Sequence, residues 1–409
     1  MDPFRPADPA EPVRHLRRRL ARVLDHAARL PAWCDPLAHT AGVNDPVERL
    51  RALPVLDREA IQARPDAFRD PRPRSVEIHT SGSTGRPLTY HLDHRARVGR
   101  LAAYARFFWM HGWRPWDRSL SLKVLPDSSD RVGAAWIDRT LLAGRRVASA
   151  VSPPEEIFRA FRESDPHVLH GLPSAIECLG AEIERRGWRP RRLRRIFTSS
   201  EQMDPATRVR IEGLFRAPVI DHYGAAEGFI AWQCEQLRDY HINERQIFLE
   251  LLDDEDRPVA PGTPGRVVLT TLDNRAMPLL RYAIGDLAVE AETEACPCGR
   301  PGRRLDRVLG RVMESFVLDG RAVSPWAAVS RMREIPGLGA FQLLQTGPLR
   351  VEARVDWRGS PAPGDVKALL RETLHPKLEV EVVATDTFLR LPSGKRAPAL
   401  RVDQAGDRA

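Results

Sequence analysis

The chain has 409 residues and a formal charge of +8, with 42% apolar and 29% charged residues. That balance excludes a disordered chain, and the length exceeds what one core serves, so two or three domains are expected. Only four of the 63 basic residues are lysines. The arginines are interleaved with acids, which speaks against a nucleic-acid-binding stripe, and the dense run over residues 185–195 reads as a solvated helix end and loop.

Five cysteines, an odd number in a long chain, argue against a disulfide framework and for a reducing compartment. The N-terminus Met1-Asp2-Pro3-Phe4-Arg5-Pro6 lacks the apolar core of a signal peptide. No uncharged apolar run approaches the roughly 20 residues that span a bilayer. A cytoplasmic location without a membrane partner is expected.

Residues 11–30 set Leu16, Leu20, Val23, Leu24 and Ala27 at helical spacing with arginines opposite, an amphipathic docking helix. A short helix is expected over 57–63, between Pro54 and Pro65. Val76-Glu77-Ile78 reads as a strand that runs into His79-Thr80-Ser81-Gly82-Ser83-Thr84-Gly85-Arg86-Pro87. There two glycines let backbone N–H groups approach an anion, four hydroxyls add donors, and Arg86 adds a permanent charge. Only two residues separate the glycines and no lysine follows, so this is not a Walker-type loop; taken alone, a Ser/Gly surface linker is an equal reading.

A helix follows over 96–111. Strands at 119–125, 146–150, 168–171, 195–198 and 218–221 then alternate with helices at 136–142, 154–162, 173–186 and 204–215. This alternation predicts an α/β domain with mostly parallel strands and ligands at their carboxyl ends. Residues 246–252, 265–272 and 286–291 look like β-hairpin material. After Gly310-Arg311, strands at 340–345, 349–356 and 378–383 with a helix at 365–374 make a compact α+β unit of about 100 residues.

Three further stretches fall where strand ends are expected: Thr198-Ser199-Ser200-Glu201, then Asp221-His222-Tyr223-Gly224-Ala225-Ala226-Glu227-Gly228, then Leu280-Arg281-Tyr282-Ala283-Ile284-Gly285-Asp286. An aromatic face for a base, a carboxylate for ribose hydroxyls and a hydroxyl-lined anion loop are together what a nucleotide needs. Each alone is more often a plain turn; their order is what carries weight.

The stretches 79–87, 223–227 and 282–286, with Gly310-Arg311 and Leu391-Pro392-Ser393-Gly394-Lys395, resemble the motifs of the adenylate-forming superfamily of acyl-CoA synthetases and adenylation domains. Residues 198–201, the modest length and Cys296-Pro297-Cys298-Gly299-Arg300 resemble its phenylacetate–CoA ligase branch, which includes coenzyme F390 synthetase-like proteins. The resemblance covers residues 50–400. It implies a large N-terminal domain (residues 1–310) with parallel-rich sheets and a hairpin-rich subdomain, and a small mobile α+β domain (residues 311–409). It implies an AMP-forming ligase that joins a small or aromatic acid to AMP and passes it to a nucleophile, most often coenzyme A.

By that resemblance Thr80, Ser81, Gly82, Ser83, Thr84 and Gly85 bind the β,γ-phosphates and Tyr223-Gly224 packs on adenine, with Ser200-Glu201 along its edge. Glu227 helps hold Mg²⁺, Asp286 and Arg311 bind the ribose, and Lys395 bridges the acid oxygen and the α-phosphate. Gly310-Arg311 is the implied hinge, although Val312-Met313 stand where relatives often carry acids. The region implied to shape the acid pocket, residues 124–142, is polar at Pro126-Asp127-Ser128-Ser129-Asp130-Arg131. That is compatible with an amine acceptor (amide ligase) or with nitrite as the activated acid (diazotase). Outside this class stand a non-catalytic nucleotide-binding protein and a nucleic-acid-binding zinc protein. The oligomeric state stays open, a homodimer being one option.

Cys234, His241, Cys296 and Cys298 supply four soft or borderline ligands, the number tetrahedral zinc takes, in a hairpin-rich region (residues 230–300) where a metal would staple loops. Four protein ligands leave no open position, so such a zinc is structural. Cys34 and Cys178 read as ordinary packing residues.

Overall fold

The computed structural model describes residues 11–79, 88–123, 145–203, 205–292, 295–311, 316–323, 325–332, 335–357, 360, 362–389 and 396–402. The phosphate-loop candidates Thr80 to Gly85, the helix expected at 136–142, the polar stretch 126–131 and Lys395 lie outside the described residues. By contacts the chain divides into two compact units, Met1–Met203 with Ile211–Gly310, and Asp204–Arg210 with Arg311–Ala409.

The first unit opens with helices α1 (Glu11–Ala27), α2 (Cys34–Ala38), α3 (Pro46–Arg51) and α4 (Arg58–Ala63). Their starts are chemical. The Asp45 carboxylate accepts from the Val47 N–H at the head of α3, and Asp57 accepts from the Ala60 N–H at the head of α4. Each satisfies a backbone donor that a helix start leaves orphaned. A hairpin of β1 (Ser75–His79) and β2 (Thr89–Asp93) follows and brackets the hydroxyl-rich loop. Asp93 in turn caps α5 (His94–Met110).

Among the described residues a single sheet of eleven strands forms the body of this unit. Five are parallel: β3 (Ser119–Lys123), β4 (Arg145–Ser149), β5 (Val168–Gly171), β6 (Arg195–Thr198) and β7 (Val219–Ala225). Helices α6 (Pro154–Ser164), α7 (Pro173–Arg185) and α8 (Pro205–Phe215) alternate with them. Leu169, Ile196 and Val219 pack into one apolar cluster, while their neighbours Val168, Phe197 and Ile220 pack with Phe107 of α5 in another. Burial on both faces explains the unbroken apolar runs read in the sequence.

At β7 the pairing turns antiparallel. The sheet runs on through β8 (Gly228–Gln233), β9 (Tyr240–Ile242), β13 (Arg304–Arg311), β12 (Tyr282–Glu290), β11 (Pro264–Thr271) and β10 (Ile247–Leu252). Three expectations are corrected here. Tyr223 lies inside β7, not beyond its end, and Asp286 lies inside β12. Both strands extend because each finds an antiparallel partner that short apolar runs do not advertise. Cys34 and Cys178 are exposed, not packed: the buried apolar positions of their helices are taken by Leu37, and by Ile176 and Leu179.

The second unit has its own core, with Phe316, Val329, Leu343, Val351 and Leu370 buried together. It comprises a hairpin of β14 (Phe316–Leu318) and β15 (Arg321–Val323), α9 (Trp326–Met332), and a four-stranded sheet backed by α10 (Pro363–Thr373). That sheet runs β18 (Glu379–Ala384), β17 (Arg350–Trp357), β16 (Leu338–Gly347), β19 (Ala399–Arg401). No helix among the described residues is long and apolar enough to cross a membrane.

Candidate active site and metal centre

Two strand irregularities build the site. In the β7–β8 pair the register shifts between Tyr223 and Gly224; in the β11–β12 pair it shifts between Arg266 and Val268, opposite Gly285, whose φ is +79°. A bulge of this kind interrupts the alternation of a strand and re-aims a side chain. Only glycine adopts that φ without strain. The outcome is that Tyr223, on one strand, donates its hydroxyl to Asp286 Oδ2, on another, at 2.5 Å. Both side chains are buried. Arg281 stiffens the approach to β12. Its buried guanidinium pairs with buried Glu250 at 3.2 Å and donates to the Arg51 and Leu53 carbonyls.

A Cβ at Gly224 would stand 3.2 Å from the Tyr104 hydroxyl, so a larger residue there would press on that side chain. Beyond it, the tight turn into β8 presents Glu227. The Arg100 guanidinium on α5 donates to the Ala226 carbonyl at 2.7 Å and so grips this turn. Glu227 is buried beside a small polar cavity that Tyr90, Arg100, Gln246 and Asp273 also line. Burial raises Asp273 to about 6, against the pull of Arg19. Tyr90 stands on β2, so the strand leaving the hydroxyl-rich loop passes next to Glu227.

Ser200 takes a left-handed φ of +71° just after β6. Glu201 turns back toward α7, accepting from the Ser174 N–H and hydroxyl, both at 3.0 Å. It thus satisfies the head of α7 as an N-terminal carboxylate does. Arg311 ends β13. The structure therefore brings Tyr223 onto Asp286, with Gly224 next to Tyr223 on β7, Glu227 on the turn that follows, and Ser200 and Glu201 just beyond the end of β6. Sequence reading missed Tyr104 and Arg100, which sit mid-helix among apolar and basic neighbours with no motif to mark them.

Cys234, His241, Cys296 and Cys298 also converge, their ligand atoms all within 4.8 Å of one another. Cys234 Sγ lies 3.7 Å from Cys296 Sγ, and Cys298 Sγ 3.4 Å from His241 Nε2. Around a zinc ion with Zn–S of about 2.3 Å, a tetrahedron has ligand–ligand edges of about 3.8 Å. The donors fit. Two backbone N–H groups, of Gln236 and Arg300, point at Cys234 and Cys298 sulfurs from 3.4 Å. Without an ion, burial pushes the Cys234 thiol up to about 12 and His241 down to about 4. A divalent cation would reverse the thiol's preference.

The parallel sheet switches to antiparallel at the strand that bears Tyr223, and a carboxylate is brought onto that tyrosine, within a mixed α/β fold. The chain belongs to the AMP-binding enzyme family, whose family model matches residues 19–272. Its curated relatives place it in the phenylacetate–CoA ligase branch. It is 32% identical over 178 residues to the phenylacetate-coenzyme A ligase of Thermus thermophilus, covering 42% of this chain and 40% of that one. To the Escherichia coli K12 enzyme of the same name it is 26% identical over 275 residues, covering 64% and 60%. The chain thus spans about half the length of the curated relatives it matches. In fold it is similar to 2-hydroxyisobutyryl-CoA ligase in complex with R3-HIB-AMP, with a TM-score of 0.73, 21% identity and coverage of 95% and 89%. It is also similar to the amide bond synthetase McbA from Marinactinospora thermotolerans, with a TM-score of 0.56, 18% identity and coverage of 93% and 92%.

Proposed function

We propose that this protein is an AMP-forming ligase that joins a small or aromatic carboxylic acid to AMP at the expense of ATP and then passes the acyl group to coenzyme A. The observation that carries this reading is the meeting of Tyr223 and Asp286. An aromatic ring and a carboxylate held together by two bulges offer a base a stacking face and a ribose an acceptor. The relatives' names support the acid–CoA pairing.

In the first step an acid oxygen attacks the α-phosphorus, the bond to the β-phosphate bridging oxygen breaks, and pyrophosphate leaves. In the second the CoA sulfur, giving up its proton, attacks the acyl carbon and AMP departs. The chain's task is to align reactants and to offset negative charge at phosphorus. Thr80, Ser81, Gly82, Ser83, Thr84 and Gly85 would hold the outer phosphates, Ser200-Glu201 would flank the adenine edge, and Arg311 and Asp286 would hold the ribose. Lys395, on the small domain of residues 311–409, would neutralise the α-phosphate and acid oxygens. Glu227 is the residue for Mg²⁺, which when bound screens phosphate charge. The ligand set Cys234, His241, Cys296 and Cys298 would hold one structural zinc.

ATP–pyrophosphate exchange across a panel of acids, nitrite included, tests the reading. Acid-dependent exchange followed by CoA thioester formation is the expected result; exchange with nitrite alone, or an amide formed with an amine acceptor in place of a thioester, would reassign the substrate. Absence of exchange with every acid would overturn adenylation itself. Metal analysis after gel filtration should find about one zinc per chain.

A further inference from the structure

The metal ligands and the nucleotide strand are joined by a buried polar clamp. Gln233 and Tyr240 are cross-strand partners on β8 and β9, and each immediately precedes a metal ligand in sequence, Cys234 and His241. Because strand side chains alternate between faces, His241 turns to the cluster of thiols while Tyr240 turns the other way, to Asp221 on β7. The Tyr240 hydroxyl donates to Asp221 Oδ2 at 2.7 Å, and the Asp221 N–H donates to Gln233 Oε1 at 3.0 Å. Thr198 donates its hydroxyl to the other carboxylate oxygen at 2.6 Å. All four residues are buried. Thr198 is the last residue of β6, directly before Ser199-Ser200-Glu201, and Asp221 stands two residues before Tyr223.

We propose that Tyr240 and Gln233 are positioning residues through which the Cys/His clip sets the nucleotide-facing ends of β6 and β7. The proposal rests on the adenylating reading of that site. A buried hydroxyl–carboxylate bond has a narrow range of good geometry, so a shift of the β8–β9 base moves Asp221, and with it Tyr223. The clip fixes that base from its outer side. Losing the metal and losing the Tyr240 hydroxyl should therefore damage the same property, ATP affinity, by the same route.

The test is a four-way comparison of parent and Tyr240→Phe, each with its metal and after chelation, reading the dissociation constant for ATP by calorimetry, the KM for acid, and metal content. The net worth of one hydrogen bond predicts that either change alone weakens ATP binding about fivefold. Combined, the two should weaken it no more than either alone, with KM for acid unchanged and metal content of the unchelated Tyr240→Phe protein equal to the parent's. Multiplying effects, an unchanged ATP constant in Tyr240→Phe, loss of metal from that variant, or a parent that carries no metal would each overturn the proposal. Should Tyr240→Phe not fold, Gln233→Leu takes its place in the same scheme, where the same results support or overturn it. A parent that binds no ATP at all would instead fell the adenylating reading, and this proposal with it.

Discussion

His222 is wedged among the rings of Tyr104, Phe107, His170 and Phe229, with centroids 5.1 to 5.7 Å away. Its Nδ1 is buried without a hydrogen-bond partner. Burial drives its pKa down to about 3, only partly opposed by a bond to the Thr198 backbone. The unfolded chain takes up this proton near pH 6.5 and the native chain only near 3, so stability is full above 6.5 and falls as pH drops below it. The loss between pH 7 and pH 5 is about 2 kcal/mol. Urea unfolding at the two values should show it, and His222→Phe should flatten the slope. A slope unchanged by that substitution would assign the acid sensitivity elsewhere. At the other end of the chemistry, Lys395→Ala should cut acid-dependent pyrophosphate exchange by about a hundredfold or more, while ATP binding persists. Parental exchange in that variant would remove the lysine from the reaction.

Among the elements, the β1–β2 hairpin depends on one side chain from across the fold. The buried Asn274 amide donates to the Tyr90 hydroxyl and the His91 carbonyl at 2.8 Å and to the Met277 carbonyl at 2.9 Å, and its oxygen accepts from the Asp93 N–H at 3.1 Å. Asn274→Leu removes these four hydrogen bonds from the interior, so it should cost about 2 kcal/mol or more, measured by the shift in urea midpoint. Nucleotide affinity should fall with it, since β2 leads out of the hydroxyl-rich loop. The longer helices were legible beforehand from their apolar spacing, and α4 from the Asp57 and prolines that punctuate it, while the short α2, α3 and α9 were not; the parallel strands were legible because burial on both faces makes them continuously apolar. The bulges at Tyr223-Gly224 and Gly285 were not. A bulge leaves one misplaced residue in an alternating pattern, which a single sequence does not separate from noise. β8, β9 and β13 went unread as well, and with them the clamp on Asp221. The four metal ligands were recoverable because thiols and imidazoles are scarce and chemically marked, whereas exposed Cys34 and Cys178 show that scarcity alone does not fix a residue's place.

For the whole molecule, the boundary between the two compact units falls after Gly310, whose φ is +86°. Gly310→Ala forces a side chain into a left-handed backbone, a cost of about 1 kcal/mol, and its Cβ would also meet Gln202 at 3.6 Å. If the small domain must reposition between half-reactions, this variant should retain pyrophosphate exchange within about twofold while thioester formation drops about tenfold. Equal losses in both steps would mark Gly310 as merely structural. The eleven-stranded sheet carries a consequence for how the chain assembles. Most of its antiparallel half joins neighbours in sequence, β9 with β13 excepted, whereas the parallel pairs β5–β6 and β6–β7 wait for α7 and α8 to fold back. Strand β7 belongs to both halves, so its hairpin with β8 is available early and its docking on β6 comes late. The end of β7 that carries Asp221 and Tyr223 is therefore among the last parts to mature; on the proposed adenylating function, nucleotide added to a refolding mixture should act on that final step, drawing the late ensemble toward the finished protein by mass action.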